Sequence, residues 1–500
     1  MAIKRYYASK DNTITNAFEE NLTTRGTDAN MGAADILEVF SIYGQASSAS
    51  AEASRALIKF DCTASTNSIQ ADRTSGVIPA SGSVSFYLRL YNAPHGQTLP
   101  KSYTMDVSAV SGSWTEGTGL DMEAYRDKGV SNWLTSSGVT GWTTAGGDYF
   151  TDASSSFTAS FDDGTEDIEL DITTLVEQWL DSAGNVLGSK EDEGVGIKIS
   201  SAYETATRSY YTKKFFARGT EFFFKKPCIE ARWNSSVQDD RGNFYYSSSL
   251  ATAAENLQTL YLYNYFRGRL RNIPSIGTGA IYVNLYSGST APTGSAITLV
   301  ADGTHVSSGS PTFVTGGYVS TGIYSASFAM TAASTPLETV FDVWNDGSGT
   351  QFYTGSFEPS VLYPSAVAPA DEYFLTITNL RQSYRNDETA RFRIYTRQKD
   401  WSPTIYTRAV ATPEVQVIES GSYEIYRVID DLKVVSYGTG SDNQTVMSYD
   451  ASGSYFDLDM SMFETGYSYG IKLSFYNQDI GAWVEQPETF KFKVESRQNK

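Results

Sequence analysis

The sequence predicts an all-β fold: an N-terminal jelly-roll β-sandwich followed by two immunoglobulin-like β-sandwiches. Three observations carry that prediction. Short runs alternate apolar and polar side chains with a period of two, separated by turns rich in Gly, Ser, Asn and Asp. Aromatic residues make up 14% of the chain, with 34 Tyr, and charged residues only 19%; this suits pleated sheets and excludes disorder. The 500 residues are enough for about three domains at roughly 150 residues each.

Residues 1–234 read as one unit, with candidate strands at 34–43, 55–62, 83–92, 102–110, 167–172, 195–201, 209–217 and 227–233. In "SVSFYLRLYNA", Phe86, Leu88 and Leu90 share one face, and Tyr87, Arg89 and Tyr91 the other. About eight strands fit a jelly roll with long loops better than an immunoglobulin domain. "DITTLVEQWLDS" predicts one or two helical turns capped by Thr173 or Thr174. The longest loop region, 111–160, carries Trp114, Trp133, Trp142 and Tyr149 among Gly, Ser and Thr.

Residues 235–275 form a connector. Leu250, Ala254, Leu257 and Leu260 recur at helical spacing in "SLATAAENLQTL" and predict a short helix. "YLYNYFRGRLRN" then alternates as a strand, with Tyr261, Tyr263 and Tyr265 on one side and Arg267, Arg269 and Arg271 continuing it. These arginines are either simply solvated or an assembly patch that meets the acidic face of a neighbouring copy, setting orientation more than affinity.

An immunoglobulin-like sandwich is expected over 276–368, where "GIYSASFAM" supplies Tyr324, Ala326, Phe328 and Met330 as an inward set. "YPSAVAPADEY" reads as a Pro- and Ala-rich linker. A second such sandwich is expected over 371–497, where "ARFRIYTR", "YGIKLSFYN" and "FKFKVES" alternate.

The 38 basic and 57 acidic residues leave a net charge of −19, which argues against nucleic acid or an anionic membrane as partner. No run of about 18 apolar residues exists to span a bilayer. "MAIKRYYASKDN" has no signal-like apolar run, so export by a standard route is not expected. His95 and His305 lie far apart, giving a His-based metal site or triad little to work with. Cys62 and Cys228 sit on oppositely directed strand faces and read as free thiols.

No nucleophile elbow, phosphate loop, His-Glu-x-x-His or Cys-x-x-Cys occurs, so no catalytic residue, metal ligand or cofactor is assigned. Glycoside hydrolysis needs only two carboxylates about 5–10 Å apart. Asp163, Glu166 and Asp167 in "DDGTEDIELD" are candidates, against the reading of a solvated acidic face. Asp28 and Asn30 supply oxygen ligands, but too few for a calcium site. Trp133, Trp142 and Tyr149 are the carbohydrate-binding candidates, because flat apolar rings flanked by hydroxyls suit a stacked pyranose. The competing reading buries them under the loops or in a subunit contact.

"VSGSWTEGTGLDMEAY", residues 110–125, poses the same choice. Trp114 and Glu116 are either the lip of a sugar site or a corner where Trp114 covers the core end and Glu116 caps backbone N–H groups. Gly117 and Gly119 would then permit positive φ.

Five segments occur in the order of one known family. They are "DANMGAADILEVF", "SRALIKFD", "SVSFYLRLYN", "VSGSWTEGTG" and "DITTLVEQWL". On these, residues 1–234 resemble the DNRLRE-type domain, a jelly roll related to carbohydrate-binding modules, in which the Trp-x-Glu-Gly turn is structural. "DDRGNFYYSSSLATAAENLQTLYLYNYFRGRLRNIP" and "YDASGSYFDLDMSMFETGYSYGIKLSFYN" resemble virion proteins of tailed bacteriophages. The resemblance implies a non-enzymatic structural protein of the virion, in the head, neck, tail or fibre. Its partners would be other virion proteins and copies of itself, and it would be assembled in the host cytoplasm. An adhesion protein binding host-surface polysaccharide is the alternative, and a polysaccharide-degrading enzyme a third.

Overall fold

The computed structural model describes residues 2–43, 51–94, 100–181, 187–206, 208–307, 309, 311–332, 337–362, 373–399, 401–402, 415–438, 442–477 and 481–496. The chain is all-β and divides into two compact units, residues 2–234 and 235–500. No helix among the described residues is long and apolar enough to cross a membrane.

The first unit contains β1 (Ile3–Tyr7), β2 (Lys10–Thr15), β3 (Ile36–Tyr43), β4 (Ala51–Lys59), β5 (Ser85–Leu90), β6 (Tyr103–Ala109), β7 (Thr135–Ser137), β8 (Thr140–Gly141), β9 (Ser156–Phe161), β10 (Ile168–Asp171), β11 (Val195–Ile199), β12 (Tyr210–Phe216) and β13 (Cys228–Arg232). Strands β1-β13-β5-β10 form one sheet, and β12-β3-β4-β11-β6-β9 a second, to which β2 adds by pairing with β4. Phe86, Leu88 and Leu90 of β5 are fully buried, as their alternation predicts, as are Leu57, Val107 and Ile197 of the larger sheet. All eight expected strands form. The five extra ones, β1, β2, β7, β8 and β9, had weak patterns. In "KDNTIT" the last five residues are all buried, yet four of them are polar, so no apolar period exists to read.

The expected helix spans Thr173–Trp179, with Leu175, Val176 and Trp179 buried. Its cap is neither threonine. Asp171 Oδ1 accepts the Thr173 N–H at 2.9 Å, and Thr173 Oγ1 instead accepts the Phe86 N–H at 2.8 Å, fixing the helix to β5. Cys62 and Cys228 are free and buried.

The second unit opens with β14 (Gln258–Tyr263), β15 (Tyr265–Phe266), β16 (Arg269–Leu270), β17 (Ile281–Ser287), β18 (Val314–Ser320), β19 (Ile323–Phe328), β20 (Val340–Asn345) and β21 (Gln351–Phe357). Six of these lie on one hydrogen-bonded path, β14-β19-β18-β17-β20-β21. β18 changes partner at Gly316–Gly317, pairing with β17 before it and β19 after. The two halves share one core, in which Leu260, Tyr324 and Phe328 join Val283, Val340 and Trp344.

The remaining strands are β22 (Tyr373–Ile377), β23 (Ser383–Arg385), β24 (Thr389–Gln398), β25 (Gly421–Arg427), β26 (Leu432–Val435), β27 (Ser448–Asp450), β28 (Gly453–Asp459), β29 (Ser468–Asn477), β30 (Ala482–Glu485) and β31 (Phe490–Glu495). They make a β-sandwich of the sheets β22-β24-β28-β27 and β23-β31-β29-β25-β26, with β30 on β29. Tyr423 stacks on Phe456 at 4.1 Å, and Phe392 meets Phe492 at 5.5 Å, joining the two sheets through aromatic rings. The linker "YPSAVAPADEY" falls, except for Tyr373, outside the described residues.

The connector departs from its expected form. No helix forms at 249–260. Leu250 is exposed, so a helical face there would have nothing to bury against. Turns replace it, closed by Asn256, whose side chain accepts from the Ser248 N–H and donates to the Ser248 carbonyl, both at 2.9 Å. The start of the connector is a tie between the two sandwiches of this unit. Asp239 N donates to the Tyr449 carbonyl, and Tyr449 N to the Val237 carbonyl, each at 3.0 Å. Asp240 then accepts from Tyr449 Oη at 2.8 Å and from the Thr259 N–H at 2.6 Å.

Candidate functional site

The stretch at 110–125 is a corner. Trp114 is buried, and its Nε1 donates to the Glu193 carbonyl at 3.0 Å. Glu116 Oε1 accepts the Asp11 N–H at 2.8 Å and pairs with the Arg218 guanidinium at 2.9 Å. Gly117 has φ +86°, as expected. Gly119 does not take a positive φ; it is required because a Cβ there would overlap the Asn30 carbonyl oxygen. Asn30 organises the corner. Its Nδ2 donates to the Ser131 carbonyl at 2.9 Å, and its Oδ1 accepts from Gly32 N at 3.0 Å and Gly119 N at 3.2 Å.

The expectation that Trp133 and Trp142 offer free faces to a sugar is corrected. They are only 7% and 9% exposed, and they share a core with Ile14, Ala53, Leu57, Val110 and Trp114. The burial of so much ring area outweighs any benefit of leaving it wet. Trp142 Nε1 donates to the Asn132 carbonyl at 2.9 Å. Trp133 is covered by the Arg55 guanidinium, 5.0 Å from its ring centre. Arg55 is in turn fixed by two 2.9 Å bonds to Glu204 and a 2.8 Å bond to the Gly146 carbonyl.

Tyr149 is only partly buried and lies at the edge of an open cleft of about 560 Å³. Arg55, Asp106, Asp148, Ser156 and Lys198 contribute to its lining. Lys198 stands directly opposite Asp106 in the β11–β6 register, and its Nζ lies 5.9 Å from the Tyr149 ring centre. Burial and the hydrogen bond from Tyr149 Oη to the Gly146 carbonyl, 2.7 Å, fix this ring, and burial pushes its hydroxyl up to about 12. The cleft can take a polar, hydroxyl-rich or charged molecule. Sequence reasoning singled out Tyr149 but named neither Lys198 nor Asp106, which line the same cleft. Their only signal was the polar half of the alternation in "GIKIS" and "YTMDVS".

The arginine stripe is also corrected. Arg267 and Gly268 form the turn of a hairpin, with φ 51° and 76°, so the chain reverses before the alternation can continue. Arg269 pairs with Phe266 on β15, and Arg271 N returns to the Asn264 carbonyl at 3.0 Å. Three arginines on one strand edge therefore do not exist. In their place Arg267 and Arg271 flank the Phe266 ring at 5.3 and 5.4 Å, with Tyr265 and Phe266 both more than half exposed.

The acidic run has structural employment. Asp163 pairs with Lys101 at 2.9 Å, Glu166 Oε1 accepts the Asp162 and Asp163 N–H groups, and Asp167 Oδ1 accepts the Asn92 N–H at 2.7 Å. Asp28 is held by Arg126 and Lys128 at 3.1 and 3.0 Å. Among the described residues no group of three or more His, Cys, Asp or Glu is placed to hold a metal. His305 pairs with Asp302 at 2.9 Å, and His95 lies outside the described residues.

No family model matches the chain, and no curated protein does. Among solved structures, it is similar to the tandem Ig repeats of Dlar, at 10% identity over 44% of this chain and 92% of that one, with a TM-score of 0.14. The N-terminal Ig1-2 module of the Drosophila receptor protein tyrosine phosphatase DLAR follows at 8% identity, over 48% of this chain and 91% of that one, TM-score 0.14. Trypsin-activated alpha-2-macroglobulin from Escherichia coli matches at 9% identity over 88% of this chain and 24% of that one, TM-score 0.16. At these TM-scores none of the three carries an argument about this chain.

Proposed function

We propose that the chain is a non-enzymatic structural protein of a tailed-bacteriophage particle, working through protein–protein contacts. In this reading residues 1–234 are a jelly roll of the DNRLRE type, and the later domains are immunoglobulin-like. The observation that supports contact as the mode of action is the hairpin tip at 265–271, where two aromatic rings stand in solvent beside arginines. Exposed aromatic–arginine clusters are what well-packed interfaces bury at their centres. Against a net charge of −19, a local cationic tip favours an acidic surface, on another copy or another virion protein. Particle incorporation of a Phe266→Ala, Arg267→Glu chain tests the reading; undiminished incorporation would count against this tip as the contact.

A second reading, attachment to host-surface polysaccharide, is favoured by the Tyr149 cleft rather than by the buried tryptophans. A glycan array with Lys198→Ala separates the two readings, since that substitution leaves the hairpin untouched.

A further inference from the structure

Lys213 is an unusual residue for a sandwich core. It points inward from β12 and is 0% exposed. Burying an ammonium ion is costly even when it is hydrogen-bonded. Nζ lies 2.8 Å from Asn92 Oδ1, 3.0 Å from the Gly164 carbonyl and 2.6 Å from the Glu166 carbonyl. The Phe161 and Phe215 rings stand 4.8 and 5.4 Å from Nζ. Tyr103 stacks on Phe161 at 5.0 Å, with its hydroxyl buried and unpartnered. Burial lowers the lysine to about 8, against the opposing charges of Glu166 and Asp167, so a reactive neutral amine is accessible.

The electrophile is held equally firmly. Asn92 N donates to Asp167 Oδ1 at 2.7 Å, and Asn92 bridges Phe215 in antiparallel fashion, with Ala93 N donating to the Lys214 carbonyl at 2.9 Å. The amine and the side-chain amide are therefore held together, with Nζ donating at 2.8 Å to the oxygen of the carbonyl group it would attack. Glu166 carries a carboxylate whose Oε2 is buried without a hydrogen-bond partner, on the residue whose carbonyl already touches Nζ.

We propose that Lys213 and Asn92 become joined by an amide bond between Nζ and Cγ, formed inside the folded chain. Neutral Nζ attacks Cγ, the Cγ–Nδ2 bond breaks, and Nδ2 leaves as ammonia after receiving the proton that Nζ gives up. Glu166 is the carboxylate that carries that proton. The reaction needs no oxidant, cofactor or second protein. Asn92 is only half-buried, which leaves ammonia a route to solvent. The bond removes the buried charge. It also links β12, at the edge of the larger sheet, to the segment that follows β5 in the smaller one, restricting the unfolded chain as any long-range cross-link does.

Intact-mass analysis of the purified, folded full chain decides the matter. The expected mass is below that of the sequence by one ammonia, and trypsin should yield a branched peptide containing both Asn92 and Lys213. Lys213→Met and Asn92→Ala should each restore the full mass, and Glu166→Gln should slow formation after refolding by at least about tenfold. A folded wild-type chain that keeps its full mass overturns the proposal, whether or not the variants fold. Loss of ammonia without a joined peptide, as from an asparagine succinimide, overturns it as well.

Discussion

Arg5 and Glu230 face each other directly across the β1–β13 pair, with Nε donating to Oε2 at 2.8 Å. This contact joins the first and last strands of the N-terminal unit. Arg232 Nε adds a 2.7 Å bond to the other oxygen of the same carboxylate. Burial alone would raise the Glu230 pKa, but the charges of Arg5, Arg232 and Arg89 overcome it and hold the group at about 2.

That depression sets an acid limit on stability. A carboxylate near 2 in the folded state and 4.5 otherwise contributes about 3 kcal/mol, fully present above pH 4.5 and lost as pH falls towards 2. Thermal melts of the wild type should therefore drop steeply below pH 4.5. Glu230→Ala should cost about 3–5 kcal/mol at neutral pH, because it removes the carboxylate that both Arg5 and Arg232 share in a largely buried position, although Arg232 keeps its 2.7 Å pair with Glu169.

Trp133→Ala should destabilise the N-terminal unit by about 3–5 kcal/mol, the cost of emptying a ring-sized volume in a core. Denaturant unfolding checks this. An unchanged midpoint would mean that the ring is not buried.

Gly119→Ala should cost at least about 1–3 kcal/mol, since the new methyl collides with a main-chain oxygen that cannot yield. Gly129→Ala, with open space at its Cβ position, is the control and should be far milder. Comparing the two melts isolates the corner.

Tyr449→Phe leaves Asp240 with one bond fewer in a half-buried position and should cost about 1–2 kcal/mol. Faster amide exchange over 237–241 would place the loss at the tie between the two sandwiches of the second unit.

The alternation of single strands was readable because each has one wet and one dry face, as in Phe86, Leu88 and Leu90. It failed where both faces are covered, as at Asp11, Asn12 and Thr13, whose burial is compensated by hydrogen bonds rather than by apolarity. It failed again at Arg267. Continuing a period of two through Arg-Gly ignored the positive φ that those residues adopt, although a Gly within the run was a turn signal. The tryptophans illustrate a different limit. An aromatic ring between polar neighbours looks the same in sequence whether it faces solvent or a layer of loop, and only the tertiary cover, Arg55 over Trp133 and the shared packing with Ile14, Ala53, Leu57 and Val110, distinguishes the two. The Lys213 cluster draws on residues from four separate segments, and no local pattern announces it.

Phe266→Ala with Arg267→Glu should leave thermal stability within about 0.5 kcal/mol of wild type, because neither side chain supports the core. The consequence should appear only in assembly. Quantitative mass spectrometry of purified particles is the most direct measurement of the proposed role. The account predicts this chain in the particle at a fixed copy number, and its depletion from particles assembled with the doubly substituted hairpin. Its absence from purified particles would contradict the account.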